Sequence, residues 1–264
     1  MTLTTLQLSN STVAYRSRGT GEPLVLIHGV GMQSAAWGPQ IDHFAQDYHV
    51  IALDMPGHGG SDLLPVGSQL ADYVDWCADV IAALNLGPVN LVGHSMGALI
   101  AGGIAASRPN LVQRVALLNG VYVRGPDAKT AVQGRAATIR EGQIDLQTPL
   151  KRWFDGGQQQ AHDQVAGWLG NVDLTGYATA YTAFACGDAV YADRFQNIMC
   201  PFLAMTGDGD PNSTPAMSQA MATAVQNGRS VTINGHRHMI NLTAAGQVNA
   251  HLQTWLNQPT TPTT

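Results

Sequence analysis

The segment Gly93-His94-Ser95-Met96-Gly97 places a hydroxyl between glycines directly after the apolar run "VNLVGH" (89–94). A serine on a sharp strand-to-helix turn is held in a strained backbone conformation, and flanking glycines remove the side chains that would clash there. Ser95 is thereby expected to stand out at the carboxyl end of a sheet as a nucleophile. The helix expected from "MGALIAGGIAA" (96–106) aims its N-terminus at the same point, so the free N–H of Met96 can receive an oxyanion. A lone G-x-S-x-G occurs in many loops, and its position between a strand and a helix is what gives this one weight.

A second oxyanion donor must come from the loop after an earlier strand. "HGVGM" (28–32) follows "PLVLI" directly, and its glycines let the N–H of Val30 turn toward the same oxygen. The alternative is a glycine-rich turn holding a core histidine. A serine hydroxyl also needs a histidine to take its proton and an acid to fix the imidazole tautomer. Downstream, "GDGDPNSTP" (207–215) offers Asp208 and Asp210, and "INGHRHMINL" (233–242) offers His236 and His238.

The elements that must position these residues are legible as an alternation. Short apolar runs at 23–28, 50–55, 89–94, 115–119, 202–207 and 230–235 read as strands buried on both faces. Helical periods lie between them at about 35–47, 68–86, 96–107, 215–227 and 243–256. In the second, Leu70, Tyr73, Val74, Cys77, Val80, Ile81 and Leu84 mark one apolar face. "TLQLSN" and "TVAYRSRG" alternate polar and apolar residues and predict an antiparallel hairpin at the sheet edge. The alternation breaks from 121 to 197, too long for an ordinary loop, and its helix-like patches predict an inserted helical lid over the strand ends. The core is thus expected over 1–120 and 198–257, with a disordered tail over 258–264.

Composition bounds the partners. The chain has 264 residues, 45% hydrophobic and 12% charged, which suits one compact core with an insertion. A net charge of −5 and the lack of any Lys/Arg run argue against nucleic acid. No apolar run approaches the ~20 residues that span a bilayer. The opening "MTLTTLQLSN" lacks the features of a secretory signal. Cys77, Cys186 and Cys200 are widely spaced, as buried free thiols of a cytoplasmic protein would be. No metal-ligand spacing and no dinucleotide or phosphate loop is present, so neither metal nor cofactor is expected, and homo-oligomerisation is left open.

Taken together, "HGVG", "DMPGHGGSD" (54–62), "GHSMG", "GDGDPNSTP" and "GHRHMINL" stand in the order and spacing of the α/β-hydrolase superfamily, which the chain resembles over nearly its whole length outside the lid. The resemblance implies an α/β fold, a mostly parallel eight-stranded sheet flanked by helices. It also implies the order nucleophile, acid, base. In the resembling families the acid precedes a Pro-containing turn, which favours Asp210 over Asp208. The base is followed by an apolar residue, a variable residue and Asn, which favours His238 over His236. Some relatives carry the acid after the "VALLN" strand, where this chain has Asn119. Arg237, in place of the usual small residue before the base, and Thr243, where a Glu often stands, depart from the pattern.

The stretch 176–210 resembles 3-oxoadipate enol-lactonases and their esterase relatives, implying a small substrate of ring catabolism that carries a carboxylate. Such a molecule needs an apolar wall, for which Trp153, Trp168, Tyr177, Tyr181 and Phe184 are candidates, and a cation from among Arg124, Arg135, Arg140, Lys151, Arg152 and Arg237. For each, lid core or solvated charge is the plainer alternative. His28, expected to support the oxyanion loop, joins Trp153, Tyr181 and Arg237 as candidates for substrate contact; His58 and His94 are expected to be structural. The expected reaction is hydrolysis of a small ester or lactone through an acyl-enzyme. The same triad would serve a C–C bond or amide hydrolase of a ring-cleavage product, and a non-catalytic receptor or a cofactor-free oxygenase or perhydrolase are further uses of this fold.

Overall fold

The structure, a computed structural model, describes residues 2–8, 11–143, 145 and 147–260. Eight strands form one sheet: β1 (Leu3–Leu8), β2 (Ser11–Arg18), β3 (Glu22–Ile27), β4 (Tyr48–Leu53), β5 (Val89–His94), β6 (Val112–Leu118), β7 (Phe202–Gly207) and β8 (Gly228–Ile233). Their order is β1-β2-β4-β3-β5-β6-β7-β8. The β1–β2 hairpin is antiparallel and β2 runs antiparallel to β4, while every pairing from β4 to β8 is parallel. This is the mostly parallel eight-stranded sheet expected, with the hairpin at its edge.

The helices are α1 (Gly38–Phe44), α2 (Leu70–Ala83), α3 (Met96–Ser107), α4 (Pro126–Arg140), α5 (Gln147–Trp153), α6 (Gln159–Gly170), α7 (Leu174–Gly187), α8 (Pro215–Thr223), α9 (Ile240–Thr243) and α10 (Ala245–Leu256). Strand residues alternate between two cores, as a period of two requires. Val25, Ile27, Ile51 and Leu53 pack with α2 and α3 on one face. Leu24, Leu26, Val50 and Ala52 pack with α1 and α10 on the other. The expected face of α2 is buried from Leu70 to Ile81, with Leu84 packed at its margin.

Two expected helices are divided. The one foreseen at 35–47 is a 3-10 turn over Ser34–Trp37 followed by α1, because Pro39 has no N–H and suits only a first helical turn. The one foreseen at 243–256 is split at Ala244, whose φ of −126° is not helical. Between β6 and β7 the chain builds α4 to α7 and a 3-10 segment, Ala192–Asn197. At the tail, the Gln258 carbonyl accepts Nε–H and Nη2–H of the buried Arg114 at 2.9 and 2.7 Å, which ties down the first residue of the stretch expected to be disordered. Residues 261–264 lie outside the described residues.

The sheet order reverses between β3 and β5, so the loops leaving their carboxyl ends diverge and open a crevice there. Both the 28–32 loop and Ser95 leave the sheet at that point.

Candidate active site

Ser95 links β5 directly to α3 with φ 54° and ψ −114°, a conformation costing a non-glycine residue roughly 1–3 kcal/mol. The turn is held by its surroundings. The Ser95 N–H donates to the Leu118 carbonyl at 2.9 Å. A Cβ at Gly97 would come within 2.2 Å of the Ile27 carbonyl oxygen, so only glycine lets the turn approach β3 this closely. From the other side, the α-carbon of Gly29 lies so near that a Cβ there would sit 2.9 Å from the Ser95 Cβ. The 28–32 loop and the serine therefore touch, as an oxyanion site between Val30 and Met96 requires. Met96 opens α3, where helix geometry leaves its N–H without an intrahelical acceptor.

Histidines behind the site fix these loops. Met55 N–H donates to His28 Nε2 at 2.9 Å, so the His28 proton resides on Nδ1 and is donated to the Gly29 carbonyl at 2.8 Å. Both ring nitrogens are thus occupied and His28 lies outside the cavity wall, which corrects its candidacy for substrate contact. His58 accepts the Gly31 N–H at Nε2 and donates from Nδ1 to the Pro56 carbonyl. His94 Nε2–H donates to the His238 carbonyl at 2.8 Å. Burial holds all three well toward the neutral form, His94 with a pKa lowered to about 3.

Asp210 and His238 meet in the interior. His238 Nδ1–H donates to Asp210 Oδ2 at 2.7 Å, which leaves Nε2 as the basic nitrogen of a ring that shares a cavity wall with Ser95. Asp210 accepts three further bonds: Asn212 N–H at 2.8 Å and Ser213 N–H at 3.2 Å on Oδ1, and Asn119 Nδ2–H at 2.8 Å on Oδ2. Burial opposes its charge, but His238 and these donors outweigh burial and hold the carboxyl below its ordinary pKa. The two alternatives are engaged elsewhere. Asp208 is exposed and accepts the Gly235 N–H at 2.8 Å, and His236 pairs through Nδ1 with the Thr243 hydroxyl at 2.9 Å.

The cavity at Ser95 measures about 260 Å³. Its wall includes Val30, Trp153, Tyr177, Tyr181 and Phe184, together with Arg124, Arg135 and Arg152 and, among the described residues, no carboxylate. Arg140 and Lys151 lie elsewhere. Arg237 also lies outside it, pairing Nε with Asp155 Oδ1 at 2.5 Å and donating Nη1–H to the Lys151 carbonyl, so the guanidinium suspected of meeting substrate is spent on α5 and the turn after it. Trp153 stacks on the His238 ring at 5.4 Å, and the Tyr181 hydroxyl accepts Arg135 Nη1–H at 3.2 Å.

Two residues escaped the sequence reading. Asn119, read only as a carboxylate missing from the end of β6, is instead a side-chain donor to Asp210. Because β6 and β7 are neighbours, the two strand ends deliver Asn119 and Asp210 to one point. Asp188 forms a buried ion pair with Arg124 at 3.1 Å and accepts the Arg124 N–H at 2.6 Å, next to Val123 at an unfavourable φ of 44°. Among the described residues the buried Arg124 Nη2 has no acceptor, and burial lowers the guanidinium pKa against the pull of Asp188. No pattern in the sequence joins residues so far apart.

Among known families, the model of the alpha/beta hydrolase family matches residues 24–251. A curated relative from Acinetobacter baylyi, an (E)-2-((N-methylformamido)methylene)succinate hydrolase, is 54% identical over 98% of each chain. A 2-(acetamidomethylene)succinate hydrolase from Mesorhizobium japonicum is 32% identical over 49% of this chain and 47% of its own. The crystal structure of an enol-lactonase from Burkholderia xenovorans superposes with a TM-score of 0.88 at 22% identity, covering 97% of this chain and all of that one, which is a likeness of fold.

Proposed function

This chain belongs to the alpha/beta hydrolase family and is a hydrolase, and from that premise we propose that it cleaves the N-acyl bond of a small amidomethylene dicarboxylate. The observation that carries the reading is a cavity in which Ser95 and His238 share the wall with Arg135, Arg152 and the Asp188-paired Arg124 and, among the described residues, with no acid. A dianion brought beside a buried serine needs such a wall, since an unpaired carboxylate in an apolar pocket would cost several kcal/mol. The 54% identical relative is named for a substituted succinate bearing an N-formyl group, which moves the reading from ester or lactone to amide. The setting would be ring catabolism, and three free cysteines suit a reducing compartment such as the cytoplasm.

In this mechanism Ser95 Oγ attacks the acyl carbon as His238 Nε2 takes its proton. The tetrahedral oxyanion is held by the N–H groups of Val30 and Met96. Asp210 stabilises the imidazolium, which then protonates the leaving nitrogen. That nitrogen is conjugated through the methylene double bond to a carboxylate, so it departs as an enamine more readily than a simple amine would. Water, activated by His238, hydrolyses the acyl-serine and releases the free acid. Helices α4 to α7 serve as the lid, since Trp153 and Tyr181 reach the cavity from them.

Turnover of (E)-2-((N-methylformamido)methylene)succinate and 2-(acetamidomethylene)succinate, followed by release of formate or acetate, tests the proposal against 3-oxoadipate enol-lactone and neutral p-nitrophenyl esters. The amidodiacids should be preferred, and Ser95→Ala should abolish release. Faster hydrolysis of the lactone or the neutral esters would sink the amide reading.

A further inference from the structure

Among the described residues, the loop carrying His238 and the inserted segment are joined by an ion pair that the neighbouring residue makes. Arg237 Nε meets Asp155 Oδ1 at 2.5 Å and its Nη1–H donates to the Lys151 carbonyl at 3.2 Å. Lys151 and Asp155 stand two residues before and two after Trp153, the last residue of α5. Trp153 in turn lies against the His238 imidazole, with ring centroids 5.4 Å apart and planes 26° from parallel. Arg237 thus grips the backbone on one side of Trp153 and a side chain on the other. Its own carbonyl accepts Asn119 Nδ2–H at 3.2 Å, so the loop it pulls from is anchored beside Asp210.

We infer that Arg237 and Asp155 form a latch that sets Trp153 over His238, making both Arg237 and Trp153 positioning residues for the general base. The inference rests on the reading of His238 as the base of Ser95. The two hydrogen bonds that fix His238 from behind, from its Nδ1–H to Asp210 and from His94 to its carbonyl, leave the outer face of the ring to be covered by a side chain. An indole stacked there restrains ring rotation and excludes water from the side on which substrate enters. The latch is a partly exposed pair, 37% and 42% accessible, so it holds a conformation rather than the fold.

The test reads His238 without needing the right substrate. Phosphonylation of Ser95 by a fluorophosphonate draws on the base, and its rate should fall about threefold in Arg237→Ala and in Asp155→Ala, the scale of one such pair. It should fall roughly tenfold or more in Trp153→Ala. The double variant Arg237→Ala/Asp155→Ala should be no slower than the worse single one, because both remove the same contact. Quenching of Trp153 emission by contact with the His238 ring, taken as the difference from Trp153→Phe, should be weakened in Arg237→Ala. Rates and quenching that match the wild type, or additive losses in the double variant, overturn the latch while leaving the triad standing. A wild-type protein that takes no label overturns the triad reading and the latch with it.

Discussion

Asp208 and Asp210 sit two residues apart on one loop, yet only Asp210 is turned inward to meet an imidazole. Replacement should separate them sharply. Asp210→Asn leaves the wrong histidine tautomer and is expected to cost about 10⁴ in kcat. Asp208→Asn loses one exposed turn contact and should leave kcat near the wild-type value. Asn119 belongs with Asp210: in Asn119→Ala the carboxylate loses a donor that favours its charged form. Its pKa should therefore rise from its lowered value, with a loss of about tenfold in kcat/KM at neutral pH from one charge-assisted bond. An unchanged kcat/KM would show that Asn119 only fills space. The histidine pair is resolved in the same way, by the hydroxyl that engages His236 and the carboxylate that engages His238.

At the level of elements, the site depends on close approach between chain segments that side chains would prevent. A methyl at Gly29 would be driven against the Ser95 Cβ and the His94 ring, the latter at 3.3 Å, so Gly29→Ala should depress kcat at least tenfold with a melting temperature close to the parent. Gly97→Ala instead drives a methyl into the β3 backbone at 2.2 Å and should show up as lost folded yield. The start of the inserted segment depends on Asp188. Removing that carboxylate leaves the Arg124 guanidinium buried with an uncompensated charge, so Asp188→Ala should destabilise the fold by about 3–5 kcal/mol in denaturant titration. An effect under 1 kcal/mol would mean that the guanidinium finds water once Asp188 is gone.

Across the whole molecule, His28, His58 and His94 form a buried neutral cluster behind the reacting centre, with His28 and His58 ring centroids 5.4 Å apart. Each has a pKa lowered by burial, so the unfolded chain takes up protons near its ordinary histidine pKa while the folded chain does not. The sign follows: stability is full above about pH 6.5 and declines as pH falls below it, by up to roughly 1.4 kcal/mol per pH unit for each histidine. Melting temperature followed from pH 7 to pH 5 should drop, and His94→Gln should flatten that slope even though it lowers stability at pH 7. The overall charge of −5 coexists with a cavity wall that carries Arg135, Arg152 and the Asp188-paired Arg124, so any steering of an anion by these side chains should weaken with added salt.

The amino-acid sequence by itself determined the alternation of strands and helices, the elbow at Ser95 and the loop at Val30. These rest on local rules: the two-residue period of a strand, the need for glycine at a crowded turn, and the free N–H groups at a helix start. It also narrowed acid and base to neighbouring candidates, with family resemblance favouring Asp210 and His238. Tertiary structure alone decided what depends on sheet order and on contacts across the chain. Asn119 reaches Asp210 because β6 lies beside β7, Arg124 is buried because Asp188 from α7's end compensates it, and Arg237 is drawn from the cavity by Asp155. A guanidinium has the same formula whether it meets substrate, pairs with a buried acid or latches a helix, and only the position of its partner in space separates these uses.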